Sequence, residues 1–278
     1  MAHVSTTDTS PEAESFAEKN AKHFNKVITG ELPQWVRDLH GQITDFFRSP
    51  EFLQWLALPD HGDGGRRLLD YACGDGVVSR ALQPHFASVL GVDVSGAMLD
   101  KYSAAVAKLG LSPDQMRAVR GDLLADDVQP TDPPLAADAL LGFDLVVTSM
   151  ALHHFEDPGT AIKRLAARLR PGGVLLVIDW TPLDGSTPAQ REYEQELRAE
   201  GKSIKALEDS AREHAAKHTI SKPNGFTQAE MVELFERAGC GEVGWKLADK
   251  LSPIPVVNAK AQLFWSRASR PEASRLDT

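Results

Sequence analysis

Cysteine is scarce in this 278-residue chain: Cys73 and Cys240 are the only two, 240 − 73 = 167 positions apart. That spacing fits neither a thiolate metal site nor a disulfide-stapled scaffold. It suits a reducing compartment, and the expected location is cytoplasmic. Long apolar runs are missing as well. No window approaches the ~18 consecutive apolar residues of a membrane span, so no membrane partner is expected. Basic runs are missing too: 30 Lys and Arg stand against 39 Asp and Glu, a net charge of −9, with no basic stretch longer than about a pair. A phosphate backbone needs clustered cations, which excludes nucleic acid as an expected partner. The opening MAHVSTTDTSPEAES is acidic, with no Arg before Arg37, and matches neither a secretory nor a mitochondrial leader. The nucleophile-elbow pattern G-x-S-x-G is absent.

What is present suffices for one large domain with a cap, since 42% of the residues are hydrophobic. Residues 1–10 are small and polar, an expected disordered tail. Ser10-Pro11 reads as a helix start, and helical repeats follow through Phe16, Phe24, Ile28, Trp35, Leu39 and Phe46. Residues 11–65 are therefore expected as a helical N-terminal cap, with a third short helix opening at Ser49. From residue 66 the pattern alternates. Strands are expected at 66–71, 88–93, 116–121, 143–149 and 173–179, with helices near 76–83, 95–109 and 158–170. The motif RPGG (170–173) should stop the last of these. A charged helical stretch opens at Thr187-Pro188, breaks at Gly201 and runs to about His218, so 181–225 is expected as a lid insertion. Thr227 and Glu230 form a capping-box pattern, and 242–248 and 261–267 read as two final strands. Residues 66–180 and 226–267 then make one core, followed by a tail at 268–278. Short apolar strands alternating with helices predict a doubly wound, mostly parallel sheet.

The stretch LLDYACGDGVVSRAL (68–82) stands at the first strand-to-helix junction. Small residues at Ala72, Gly74 and Gly76 let backbone N–H groups approach a ligand. A nucleotide-like cofactor is expected there, although nicotinamide and flavin enzymes also use glycine-rich first turns. Asp93 follows 93 − 70 = 23 residues after Asp70 and can accept from ribose hydroxyls, while it would repel a 2′-phosphate. Asp122 closes the third strand, where a carboxylate can accept from an adenine amino group. FDLVVTSMALHHFEDP closes the fourth strand and places His153 and His154 just beyond it.

In this order the motifs resemble the class I S-adenosylmethionine-dependent methyltransferases, closely over about 66–180 and in pattern only over 226–267. The resemblance implies an α/β Rossmann-like, doubly wound, seven-stranded sheet with an antiparallel last strand. It implies S-adenosylmethionine as cofactor. Asp70 and the Ala72–Gly76 turn, with Cys73 and Gly74, would hold the methionine part, and Asp93 the ribose. Met98, Asp122 and Leu123 would form the adenine pocket, with Val94 and Met150 also at the cofactor. Ala72 stands where the family often has a glycine. The implied activity is methyl transfer to a small, apolar or aromatic molecule at O, N, S or C. His153 or His154 could serve as base, or order the loop; if the segment is extended, only one ring can face the substrate. His214 and His218 lack a third ligand, so no metal is expected. A methyltransferase-like protein using the cofactor for a non-methyl reaction or as a binding partner stays open, as does a dehydrogenase.

Overall fold

The computed structural model of the protein describes residues 14–27, 32–59, 64–125, 133–217, 219–255 and 259–272. The expected tail at 1–10, the helix start at Ser10-Pro11, Ile28 and His218 lie outside them. Five apolar runs form the parallel strands β1 (Arg67–Tyr71), β2 (Ser88–Asp93), β3 (Met116–Arg120), β4 (Phe143–Ser149) and β5 (Leu169–Thr181). With β6 (Gly241–Ile254) and β7 (Ala259–Ser269) they make a seven-stranded sheet of order β3-β2-β1-β4-β5-β7-β6. Strand β7 runs antiparallel between β5 and β6, the reversed final pair that the sequence implied.

Both faces of the sheet are covered, which is why the central strands are apolar without alternation. Leu68, Leu69, Val146, Val147, Leu175 and Leu176 are all fully buried. On one face pack α6 (Pro158–Ala166) and α9 (Gln228–Arg237), through Ile162, Leu165, Met231 and Phe235. The other face carries α2 (Gln34–Arg48), α3 (Pro50–Leu56), α4 (Val77–Leu82) and α5 (Gly96–Leu109). There Phe46 meets Phe52, Trp55 and Trp265 edge-on at 5.0–5.3 Å, so the aromatics of α2 and α3 join the core. Helices α1 (Phe16–Val27), α7 (Pro188–Ala199) and α8 (Ile204–Lys217) complete the described elements. The starts of α5, α6, α7 and α9 follow capping chemistry: Ser95, Asp157 and Thr187 each accept a backbone N–H two or three residues on, and Thr227 with Glu230 forms a reciprocal box.

One expectation needs correction. RPGG does not end a helix; α6 already stops at Ala166, and β5 starts at Leu169, opposite Phe143. The Gly172 N–H donates to the Arg270 carbonyl at 2.9 Å, and the Arg270 N–H donates to the Gly173 carbonyl at 2.8 Å. Pairing with a distant strand therefore draws the glycines into the sheet, with a register shift after Phe143. Gly173 is needed because a Cβ there would stand 2.8 Å from the Phe143 carbonyl oxygen. Strands β6 and β7 also run longer than expected, to Ile254 and from Ala259.

Candidate active site

Strands β1 to β5 all end at one edge, and strand order reverses between β1 and β4; ligands of open α/β sheets bind at such a switch. The β1 turn is left-handed at alternate residues, with φ of 57° at Ala72, 54° at Gly74 and 81° at Gly76. The protein itself holds the turn: the Cys73 N–H donates to the Val92 carbonyl at 3.2 Å and the Gly76 N–H to the Cys73 carbonyl at 2.9 Å. At Gly74 an added Cβ would meet nothing within 4 Å, so a ligand can approach the backbone. At Gly76 a Cβ would stand 2.6 Å from the Tyr102 ring: this glycine serves packing. Asp70 is 1% exposed and accepts from the Ser79 hydroxyl at 2.6 Å and the Ser79 N–H at 3.1 Å. Burial, only partly offset by those bonds, lifts its carboxyl to about 7.

Asp93 joins the end of β2 to this turn. Its Oδ2 accepts the Gly74 N–H at 2.9 Å and its Oδ1 the Ser95 N–H at 2.8 Å. Burial raises its pKa, and the N–H donors oppose that shift. Past the end of β3, Asp122 Oδ1 accepts from the Tyr71 hydroxyl and the Leu124 N–H, both at 2.8 Å. Oδ2 is left as an acceptor for a ligand.

Past β4 the chain makes a 3₁₀ turn over Leu152–His154 instead of staying extended. Hence both imidazoles reach the same cavity, with rings 4.3 Å apart, contrary to the opposed arrangement expected of an extended segment. His153 Nδ1 lies 2.7 Å from Asp179 Oδ1, and its N–H donates to Asp179 Oδ2 at 3.1 Å. Asp179 is fully buried near the end of β5 and also accepts the Trp180 N–H at 2.8 Å. His154 Nδ1 instead meets the Thr219 carbonyl at 2.6 Å.

Helix α1 clasps this edge from above. Asn25 Oδ1 accepts from the Ser95 hydroxyl at 2.8 Å and the Ala97 N–H at 3.2 Å, and Asn20 Nδ2 donates to the His154 carbonyl at 3.0 Å. Phe24 packs edge-on against His154 at 5.3 Å. The cavity beneath α1 is ≈ 1110 Å³. That is at the upper end of the about 300–1,000 Å³ usual for a small-molecule pocket. Asp70, Ala72, Cys73, Gly74, Asp93, Val94, Met98, Asp122, Met150, His153 and His154 all line it, together with Trp35 and His214. Gly76 and Leu123 do not: Leu123 is in the core, and Leu124 and Ala125 take the wall position. Tyr71, Asn20, Asn25 and Asp179 escaped sequence reasoning. Asp179 alone had a signal, a carboxylate at the carboxyl end of a strand. Among the described residues no cluster could hold a metal, and no helix is long and apolar enough to cross a membrane.

An open glycine turn, followed by carboxylates beyond β2 and β3, fits a cofactor with an amino-acid end, a ribose and an adenine. With this sheet it has the architecture of the class I S-adenosylmethionine-dependent methyltransferases. A methyltransferase-domain family profile matches residues 47–242, and the chain belongs to that family. It is 36% identical over 175 residues, 63% of this chain and 53% of the relative, to an uncharacterized methyltransferase of Schizosaccharomyces pombe. Identity is 33% over 111 residues, 40% and 42% of the two chains, to the ubiquinone biosynthesis O-methyltransferase of Coxiella burnetii. The chain spans about half the length of the curated relatives it matches. In fold it resembles the magnesium protoporphyrin IX methyltransferase of Synechocystis, solved with bound S-adenosylmethionine (TM-score 0.54, 15% identity, 94% and 100% covered). It also resembles the [4+2]-cyclase SpnF (TM-score 0.54, 15% identity, 88% and 86% covered).

Proposed function

We propose that this protein transfers a methyl group from S-adenosylmethionine to a protic heteroatom of a small, largely apolar molecule, with His153 as proton acceptor. The observation that carries the proposal is the buried Asp179 carboxylate on His153 Nδ1 at the cavity wall. A carboxylate accepts and cannot donate, so the ring proton belongs on Nδ1 and Nε2 keeps its lone pair. That nitrogen can take the proton of a substrate O–H, N–H or S–H. Because Asp179 also accepts from the His153 and Trp180 N–H groups, neither carboxylate nor ring turns easily.

When bound, the cofactor supplies an electrophilic methyl group on a sulfonium. Asp70 and the turn at 72–76 would hold its methionine part, Asp93 its ribose, and Asp122 with Met98 its adenine. The α1 clasp and the apolar wall exclude water and bring the acceptor into line, where effective molarity supplies much of the acceleration. His154, bonded to the Thr219 carbonyl, orders the loop. A relative named for ubiquinone biosynthesis supports a small-molecule acceptor.

The test is a screen of small acceptors with radiolabelled S-adenosylmethionine. On the best acceptor, His153→Ala should lower turnover about 10²–10⁴-fold, the range for a positioned base, and His154→Ala far less. Parent-like turnover in folded His153→Ala would remove the base from the mechanism. A non-methyl reaction is the second reading, since a cyclase shares the fold. Product analysis separates the two: S-adenosylhomocysteine with a methylated product, or neither.

A further inference from the structure

Thirty Lys and Arg are spread through the chain, yet none of the described residues that line the cavity is either. Six carboxylates do line it: Asp70, Asp75, Asp93, Asp122, Glu156 and Asp157. Five imidazoles join them: His23, His40, His153, His154 and His214. Cations adjacent to wall residues are turned onto protein acceptors. Arg80 Nη2 pairs with Asp75 at 3.8 Å while Nη1 donates to the Asp75 carbonyl, and Arg164 donates to the carbonyls of Leu124 and Ala125. Besides the acids, the imidazoles and a few neutral polar residues such as Asn20 and Ser149, the wall is apolar, with Trp35, Val36, Ile43, Trp180, Ile220 and Ile254.

From this arrangement we infer that the methyl acceptor is an uncharged apolar molecule carrying a single protic group, and that the space beside the cofactor rejects carboxylates and phosphates; this rests on the reading above. An anion entering here loses its water, and among the described lining residues it meets no Lys or Arg in exchange. A cation finds most of the acids already engaged. Asp70 holds Ser79, Asp93 and Asp122 face the ribose and adenine on the reading above, Asp75 pairs with Arg80, and Asp157 holds Gly159 and Thr160. A neutral, flat molecule loses little on leaving water and gains the apolar wall.

The test uses three probes of one shape: 2-naphthol, 2-naphthoate and 2-naphthylmethylammonium. Each is titrated calorimetrically at pH 7.5 into the full chain saturated with S-adenosylhomocysteine. Naphthol should bind at least about ten-fold more tightly than either ion, as expected when a charge is buried without a partner. Ile220→Lys or Val36→Lys should narrow the naphthol–naphthoate gap by about ten-fold, because the cavity then holds a counter-ion. Naphthoate binding as tightly as naphthol, the ammonium binding more tightly, or none of the three binding would each overturn the inference. Titration of S-adenosylhomocysteine alone reports separately on the cofactor site. If it does not bind, the cofactor reading falls, and the same probes in the cofactor-free chain still decide the charge preference. Should a lysine variant misfold, the three-way comparison in the parent protein stands by itself.

Discussion

Replacing Asp93 tests the cofactor site at the point where sequence and structure disagree about what its carboxylate does. Position in the motif assigns it to the ribose alone, so Asp93→Ala would weaken binding and spare the fold. In the structure both oxygens already hold the protein, through Gly74 at 2.9 Å and Ser95 at 2.8 Å. A hydrogen bond to a charged group is worth about 1.5–3 kcal/mol, and the carboxylate is 8% exposed, so little screening applies. Against that loss stands the relief of no longer burying a charge, a cost that already raises the Asp93 pKa. The net expectation is about 1–3 kcal/mol lower stability for Asp93→Ala. Loss of two charge-assisted bonds to the ribose should weaken S-adenosylhomocysteine by a further ~10²–10³-fold. Asp93→Asn keeps one acceptor and should fall between the two on both measures. Denaturant midpoints and calorimetric titration, run below the variant's transition, read the two effects separately. Parent-like affinity in a folded Asp93→Ala protein would show that the ribose is not held here.

Three further outcomes follow from the same geometry. Gly76→Ala, whose Cβ would stand 2.6 Å from the Tyr102 ring at a φ of 81°, should lower stability by about 2 kcal/mol or more, read as a melting shift. Gly74→Ala meets open space, should cost only about 1 kcal/mol of left-handed strain, and should lose mainly cofactor affinity; equal stability losses for the two would refute the division of labour. Asp70, raised to about 7 when folded against an ordinary unfolded value, binds a proton in the native state that the unfolded chain has released. Its contribution is thus full below pH ~4 and lost as pH rises to about 7, so Asp70→Asn should flatten the fall in stability over that window; unchanged slopes in paired melts would contradict it. Asp179→Asn, which removes the carboxylate that fixes the His153 tautomer, should lower kcat about 10²–10⁴-fold and reshape the pH–rate profile, with KM and S-adenosylhomocysteine affinity within about two-fold. A drop in stability with an unaltered pH profile would reduce Asp179 to a structural role.

The sheet was legible because its signals are local and repeated. Each parallel strand is a short apolar run bounded by breakers, and the reversed last pair came with the family resemblance. RPGG misled for the opposite reason. Pro and Gly carry a strong local stop signal, but the conformation of 170–173 is decided by Arg270, on the far side of the chain, through two backbone hydrogen bonds. The same holds for Ala72. Its left-handed φ of 57° costs about 1–2 kcal/mol for a residue with a Cβ, and nothing in the local sequence announces it.

The site divides along the same line. The proposed cofactor positions follow chain order, one strand end after another, so a reader moving along the sequence meets Asp70, Gly74, Asp93 and Asp122 in turn. The acceptor side is assembled by contacts that skip across the chain: Asn25 reaches Ser95 over 70 residues, Asn20 reaches His154 over 134, and Asp179 reaches His153 over 26. Those three bonds decide whether α1 covers the cavity and which histidine nitrogen is free for chemistry. A sequence pattern can place two adjacent histidines beside a cofactor, but it cannot separate them. Their partners do: a carboxylate beneath one ring suits it to the proposed role of base, and a carbonyl beside the other suits it to that of a strut. The proposed chemistry therefore depends on the residue types that face each ring, and Asp179, absent from the motif, is the one on which the assignment turns.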